Sequence, residues 1–416
     1  MTIGLSHYLK LMKKFCVGCG ACIGICPKDA ISVEVLYGFA SIIIDTAKCI
    51  NCGLCSKVCP VLPNLNLEFT LPKQISNVEV FIGYSTDTGI RYYGASGGIV
   101  TSVLSYLLEK GKVDGALVVK AQGREIIPYV AVSPEALRDA QGSIYFPTFS
   151  LKFVKKLKNR SSYAVVGLPC QIDALKKLID IGVLPRDKVK YLLGLRCYHV
   201  NAPWYLDYMI KRMLRLPVGK IREVSARRYG WPGKVIVMSK AGNYVIPHFY
   251  DKRLGIGLWN PLALGNLNAQ LGCLLCTNHE NLNADITFGD AWLPMIINND
   301  KIGTSLIVSR TEEGLELIRR VASEGYIIIQ RIEKNAYAEL TINGFKTFKQ
   351  VLREIFKRGL LKTVQRYGVV STLKVLPYLI IISPPVRRVL LNAIPPKILM
   401  DVIGIYIRYF MMQEVS

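Results

Sequence analysis

The sequence predicts an α+β chain in three parts: a small cysteine-rich domain, a mixed α/β body and a helical C-terminal extension. Three observations predict it. Eight of the 12 cysteines fall before residue 60. From Val78 onward, apolar strand-like runs alternate with segments of helical spacing. From Phe345 to Ser416 the chain turns basic and amphipathic, with 12 Lys and Arg against 3 acids.

Size and charge are compatible with this division. At 416 residues, 51% apolar and 20% charged, the chain is long enough for several packed units, and wholesale disorder is excluded. Fifty-three basic residues against 30 acids give a net charge of +23, which favours anionic cofactors or acidic partners. The segment Met1–Lys14 lacks the apolar core and cleavage site of a signal peptide, so a cytoplasmic location is expected. There, cysteines act as ligands or reactive thiols before they act as disulfides. No uncharged apolar run reaches the roughly 18 residues of a spanning helix. The longest, Val375 to Val386, is broken by Pro377, Pro384 and Pro385.

The first element is a doubled motif. Cys16-x2-Cys19-x2-Cys22-x3-Cys26-Pro27 repeats 33 residues later as Cys49-x2-Cys52-x2-Cys55-x3-Cys59-Pro60. This is the bacterial ferredoxin run, in which the fourth cysteine of each copy ligates the other cluster. Cys16, Cys19, Cys22 and Cys59 are therefore assigned to one [4Fe-4S] cluster, and Cys49, Cys52, Cys55 and Cys26 to a second. Zinc sites more often use separated C-x2-C pairs, so the spacing argues against them. Gly18, Gly20 and Gly53 permit tight turns around the sulfurs. Between the runs, Ala30 to Asp45 reads as a hairpin turning at Tyr37-Gly38. Leu62 to Pro72 reads as a linker, so this domain is placed at residues 1–70.

The body opens with strand Val78–Tyr84. Ile99 to Lys110 follows as a helix ending at Gly111, and then strand Gly115–Val119. Gly94-Ala-Ser96-Gly97-Gly98 precedes that helix, where free N–H groups and the positive dipole end suit a phosphate, although Ser96 also suits an ordinary N-cap. Ser162–Gly167 is a strand ending in the Leu168-Pro169-Cys170-Gln171 turn before a helix over Ile172–Ile179. Val189–Cys197 is a second strand ending on a cysteine, and Cys273-Leu-Leu-Cys276 is a metal-type pair. Strand C-termini meet at the functional edge of an α/β sheet. Cys170, Cys197, Cys273 and Cys276 would then supply four thiolates to a third [4Fe-4S] cluster. A zinc site, with His279 replacing one thiolate, and unliganded thiols are the alternatives.

No G-x-G-x-x-G follows a strand and there is no P-loop, so no nicotinamide or NTPase site is signalled. Clusters pass single electrons whereas organic substrates usually take pairs, and a flavin converts one regime to the other. A flavin in the α/β body is therefore expected.

Gly94-Ala-Ser-Gly-Gly-Ile-Val-Thr101, Gly167-Leu-Pro-Cys-Gln171, Gly194-Leu-Arg-Cys197 and Cys273-x2-Cys276 followed by Ala284-Asp-Ile-Thr-Phe-Gly-Asp-Ala-Trp292 resemble the coenzyme F420 hydrogenase/dehydrogenase beta-subunit family. The resemblance spans about Val78 to Val308. With the ferredoxin run in front, the chain looks like the longer members, such as the input subunit of the F420H2 dehydrogenase. It implies a beta-subunit N-terminal region over 76–155, and a C-terminal region over 156–335 carrying FAD and the third cluster.

The resemblance further implies that Ser96, Gly97, Gly98 and Thr101 lie on FAD phosphates or ribityl chain. Gly167, Leu168, Pro169, Cys170 and Gln171 would face both flavin and cluster, and Asp290 would be a cofactor contact or a cap. Ile144 stands where the family often has lysine, which removes one cation expected near an anionic cofactor. The implied function is an iron–sulfur flavoprotein oxidoreductase passing electrons between deazaflavin F420 and a ferredoxin or another redox subunit. An electron-transfer subunit of a larger complex, or a flavin-dependent reductase of another organic substrate, are the alternatives.

Residues 336–416 are expected as a basic helical extension. In it, Phe348, Val351, Leu352, Ile355 and Phe356 form one stripe. It would pack on the body or dock peripherally to anionic lipid or a membrane complex. No nucleic-acid recognition module is legible.

Overall fold

The computed structural model describes residues 5–36, 38–61, 78–123, 125–157, 162–248 and 268–333, with the single residues 251, 257, 337 and 398. The linker at Leu62–Pro72 and almost all of the extension after 336 lie outside the described residues.

The N-terminal unit has helix α1 (Leu5–Lys14), short helices α2 (Ala21–Ile25) and α3 (Leu54–Val58), and a hairpin of β1 (Ile31–Leu36) and β2 (Phe39–Ile44). The hairpin pairs antiparallel from Ile31↔Ile44 to Leu36↔Phe39, as the alternating pattern predicts. α2 and α3 each begin after a left-handed glycine, Gly20 (φ 85°) and Gly53 (φ 71°), directly inside the cysteine runs. Such a φ is cheap only for glycine. The same short turn and helix recur because the same spacing recurs.

The body is an eight-stranded mixed sheet. Its strands are β3 (Glu79–Ser85), β4 (Gly115–Gln122), β5 (Glu125–Ala131), β6 (Tyr163–Gly167), β7 (Val189–Leu195), β11 (Ile286–Asp290), β12 (Ser305–Ser309) and β13 (Ile327–Arg331), in the order β13-β3-β12-β11-β7-β6-β4-β5. β4, β6, β7 and β11 form a parallel block, with antiparallel pairings on both sides. Two of these strands, β6 and β12, are almost wholly buried, which matches their continuous Val, Ile and Leu runs. The carboxyl ends of β6, β7 and β11 share one edge, with the start of β12 beside the end of β11 (Asp290↔Ser305).

Three details differ from the sequence expectation. The Pro169-Cys170-Gln171 stretch is not a separate turn but the first turn of helix α5 (Pro169–Asp180), which lies beyond α4 (Ile99–Glu109) in the chain. Proline at the first helical position already has helical φ and loses no needed N–H, and the Gln171 carboxamide oxygen accepts from Leu168 N at 2.7 Å. Ser96 is not the N-cap of α4. Gly98 occupies that position with φ 77°, and the Ser96 hydroxyl donates to the Thr304 carbonyl at 2.9 Å. Finally, β8 (Ile221–Arg228), β9 (Lys234–Ser239) and β10 (Gly242–Ile246) form a separate antiparallel sheet. Charged residues inside β8 dilute the alternation that would have announced it.

The N-terminal unit is packed hard onto the body. One apolar cluster joins Phe15, Val17, Ala21, Ile25 and Val58 to Leu151, Val154, Ile172, Leu175 and Leu178. Phe149 N donates to Gly18 O at 2.7 Å and Leu151 N to Cys19 O at 3.0 Å. A Cβ on Gly20 would stand 2.5 Å from Phe149 O, and one on Gly272 would stand 2.1 Å from Phe15 O. The Gln270 amide group reaches across too, donating to Cys16 O at 2.9 Å and accepting from Ala40 N at 3.2 Å.

Candidate functional site

The cysteines gather into three neighbourhoods. Burial pushes the Cys22 thiol well above its ordinary range, and Cys19, Cys16, Cys59 and Cys55 push it further in that order. Cys19 is raised to about 12 by burial and then by Cys59. Cys16, Cys19, Cys22 and Cys59, the four that the crossover rule assigns together, thus lie near one another, with Cys55 of the other set close to Cys22. The Cys16 sulfur accepts from Gly18 N at 3.3 Å. The Lys177 ammonium donates to Cys59 O at 2.7 Å, and its charge lies within reach of the Cys59 and Cys19 sulfurs.

Cys26, Cys49, Cys52 and Cys55 line one cleft with Leu9, Pro27, Ile31, Ile44 and Leu54. Ala30 N donates to the Cys26 sulfur at 3.3 Å. Burial raises the Cys55 thiol to about 11, with Cys52 and Cys49 adding to it. Cys52 is the one solvent-exposed cysteine among the 12.

The third neighbourhood lies at the carboxyl edge of the sheet. Burial raises the Cys170 thiol, and Cys19, Cys273, Cys197 and Cys276 add to it in that order. Cys170 and Cys276 line a second cleft with Val17, Asp173 and Asn278. His279, the alternative zinc ligand, stacks on Tyr198 with ring centres 5.3 Å apart, and its Nδ1 lies 3.0 Å from Cys197 O. Among the described residues no three His, Cys, Asp or Glu side chains stand at the spacing that holds a single metal ion. Several buried thiols sharing low-dielectric space resist ionisation unless a cationic centre offsets their charge, so the donor sets fit iron–sulfur clusters.

The residues implied for FAD lie further along the same edge. Gly97 N donates to the Ser305 hydroxyl at 2.8 Å, and Gly97 O accepts from Ser85 N at 2.7 Å. Gly97 is thereby held between β3 and β12, and Gly98 starts α4. The first-turn N–H groups of a helix, here including Thr101, have no partner within the helix. Gly167 O accepts from the Asn281 amide at 2.9 Å. Gln171 is occupied at both ends: its Nε2 donates to Thr148 Oγ1 at 2.7 Å, and its oxygen caps α5. Asp290 is not a helix cap. It ends β11 and accepts from Arg227 Nη2 at 2.7 Å, Arg227 Nη1 at 3.1 Å and Trp231 Nε1 at 2.9 Å.

Arg227, Trp231 and His248 did not stand out in the sequence. The only signal for Arg227 and Trp231 is the run Arg227-Arg-Tyr-Gly-Trp-Pro-Gly233, dense in turn-forming and aromatic residues, and His248, outside it, has none. Arg227 is 3% exposed. Besides Asp290, it donates to Tyr145 Oη at 3.0 Å and to Ala95 O at 2.6 Å, one residue from Ser96. Its Nε is buried without an acceptor among the described residues. Burial alone would raise the Asp290 carboxyl, but Arg227 and Trp231 outweigh it and hold Asp290 below the usual carboxylate range. Burial, then the Arg227 charge, push His248 down to about 3, so its imidazole is neutral. The His248 ring stacks over Trp292, which packs against Trp231 at 4.5 Å between ring centres.

No helix among the described residues is long and apolar enough to cross a membrane. Residues 15–62 match a 4Fe-4S dicluster domain. Residues 80–155 match the N-terminal part, and 160–335 the C-terminal part, of the coenzyme F420 hydrogenase/dehydrogenase beta subunit. The chain is 28% identical over 255 residues to the coenzyme F420 hydrogenase subunit beta of Methanothermobacter thermautotrophicus, covering 56% of this chain and 81% of that one. It is 28% identical over 217 residues to the F420-dependent formate dehydrogenase 1 subunit beta of Methanococcus maripaludis, 51% of this chain and 52% of that one. A third relative, the coenzyme F420-dependent sulfite reductase of Methanocaldococcus jannaschii, is 28% identical over 238 residues, 53% of this chain but 33% of its own length. With both halves of the body and the cysteine-rich unit matched in order, the chain belongs to the coenzyme F420 hydrogenase/dehydrogenase beta-subunit family, with a 4Fe-4S dicluster domain in front of the shared body.

Proposed function

We propose that the chain is an FAD-dependent iron–sulfur oxidoreductase that exchanges a hydride with reduced or oxidised coenzyme F420 and single electrons with a protein carrier. The observation that carries this reading is the shared sheet edge. It puts the Cys170 neighbourhood at the ends of β6 and β7, and the Ser96–Gly98 turn with Arg227 beside β11 and β12.

The twelve thiolates would hold three [4Fe-4S] clusters in the sets described, and these supply one-electron steps when bound. FAD, when bound, supplies the change between paired and single electrons. The open N–H groups at the start of α4 favour an anionic group such as a pyrophosphate, and Arg227, bonded to Ala95 O, holds the turn before them. Arg227 also bonds Tyr145, next to Ile144, where the family often has lysine. Asp290 neutralises the guanidinium, so Arg227 positions this turn rather than replacing that lysine's charge. Among the relatives, hydrogenase, formate dehydrogenase and sulfite reductase share F420 and differ in the second substrate, so F420 is the common hydride partner to test first.

The test is anaerobic purification with metal and flavin analysis, followed by oxidation of reduced F420 with a viologen dye. About twelve irons and one FAD per chain, with dye reduction, are expected. Stoichiometric zinc, or iron without flavin and no dye reduction, overturns the proposal. Dye reduction only after a partner subunit is added would make the chain the wiring subunit of a larger enzyme.

A further inference from the structure

The three cysteine neighbourhoods are not equivalent. Cys170, Cys197 and Cys273 share an apolar cluster with Cys19 and Cys59. Cys22 and Cys59 in turn share one with Cys26 and Cys55. The set Cys16, Cys19, Cys22 and Cys59 therefore lies between the other two. The Cys26/Cys49/Cys52/Cys55 set is the most open of the three: the other two hold the buried Cys19, Cys22 and Cys273, whereas this one holds the exposed Cys52.

The surface around Cys52 has a definite character. Ile50, two residues before it, is 57% exposed. Residues 5–61 contain three acids, and all are ion-paired: Asp29 with Lys155, Glu34 with Lys13, and Asp45 with Lys48. Lys10, Lys28 and Lys57 are exposed, with no ion pair among the described residues. Lys28 lines the cleft of this cysteine set, Lys10 follows Leu9, which also lines it, and Lys57 follows Cys55 by two positions. An exposed apolar residue beside an uncompensated ammonium group, on a unit whose few acids are all paired, is the complement of a small acidic protein, and such charge matching mainly governs encounter and orientation.

We propose that the face formed by Ile50, Cys52, Lys10, Lys28 and Lys57 is the docking site for an acidic one-electron carrier protein, and that the Cys26/Cys49/Cys52/Cys55 set is the exchange point. This rests on the iron–sulfur reading above. Each encounter moves one electron: the carrier is reduced by one and this chain is oxidised by one, with no bond made or broken. A hydride delivers two electrons and its proton is released to solvent, so two encounters balance each hydride.

The test uses the anaerobically purified holoprotein and an acidic plant-type [2Fe-2S] ferredoxin as the probe, with binding measured by calorimetry at low and moderate salt. Lys28→Glu combined with Lys57→Glu is expected to raise Kd about tenfold or more at low salt. Ile50→Asp is expected to weaken binding by a similar factor. Lys240→Glu, on the turn between β9 and β10, serves as the control and is expected to leave Kd unchanged. Iron content and visible cluster absorbance are measured on every variant, and Kd is compared only between proteins that carry the parent's iron content. No binding by the parent, or equal Kd for parent and Lys28/Lys57 variant with clusters and dye activity intact, overturns the docking face while leaving the proposed function standing. Loss of iron from the parent itself would remove both.

Discussion

The sulfur side and the guanidinium side of the sheet edge are built by different means. Eight of the thiols sit in two short runs, where spacing alone brings three sulfurs into one loop and left-handed glycines close the turn. The Arg227 side is assembled from residues far apart in the chain: Ala95, Tyr145, Arg227, Trp231 and Asp290 meet only after β8, β11 and the start of α4 are in place. A site written locally is legible before folding and tolerates changes elsewhere. A site made by long-range contacts among common residue types, as around Arg227, leaves no local mark in the sequence and depends on the whole body.

The largest expected effect lies on the sulfur side. Cys19→Ser removes a buried thiolate between the first and third neighbourhoods. Iron should fall by at least about four per chain by metal analysis, with most electron transfer from reduced F420 to a dye lost. Full iron content would mean that Cys19 is not a cluster ligand.

Arg227→Met comes next. It leaves Asp290 as a buried carboxylate without its cation, a change that costs about 3–5 kcal/mol of stability in comparable cases. Chemical denaturation measures that cost, and flavin content after gel filtration measures the second expected loss. A variant that keeps its FAD but melts early would reduce Arg227 to a structural role and sharpen the contrast between the two sides.

The smallest effect is a pH dependence. His248 titrates at about 3 in the folded chain, below the 6.5 of an unperturbed imidazole. The unfolded state therefore binds a proton first as pH falls from 6.5 toward 3, and the stability contributed by the neutral ring is complete above that window and lost across it. The loss is on the order of a few kcal/mol. Arg227 and Asp290 face the ring and act in opposite directions, so His248→Gln should flatten the slope of stability against pH without reversing it. An unchanged slope would assign that dependence to other groups.

The sequence shows the hairpin, the strands β3, β6 and β7 and the helix α4 clearly, because their apolar runs are continuous, and the hairpin, β6 and α4 also turn or stop at glycine. Residues 15–62 are the most readable stretch, since ligand spacing is a local property. The sheet β8–β10 and the Arg227 cluster are not readable: Arg222, Glu223, Arg227 and Arg228 make β8 look like a solvated loop. Burial of Arg227 is decided by Asp290, which lies 63 positions later. Ser96 is misread as a cap for a related reason. Glycine at 98 takes the left-handed corner, so serine two positions earlier is free to bond β12 instead.

Gln270 and the glycine contacts at Phe15 and Phe149 carry one last consequence. A module riveted at so many backbone points cannot swing like a tethered arm between donor and acceptor. Electrons would travel a fixed wire, so internal transfer should be insensitive to solvent viscosity, and glycerol should slow only the encounter with an outside carrier.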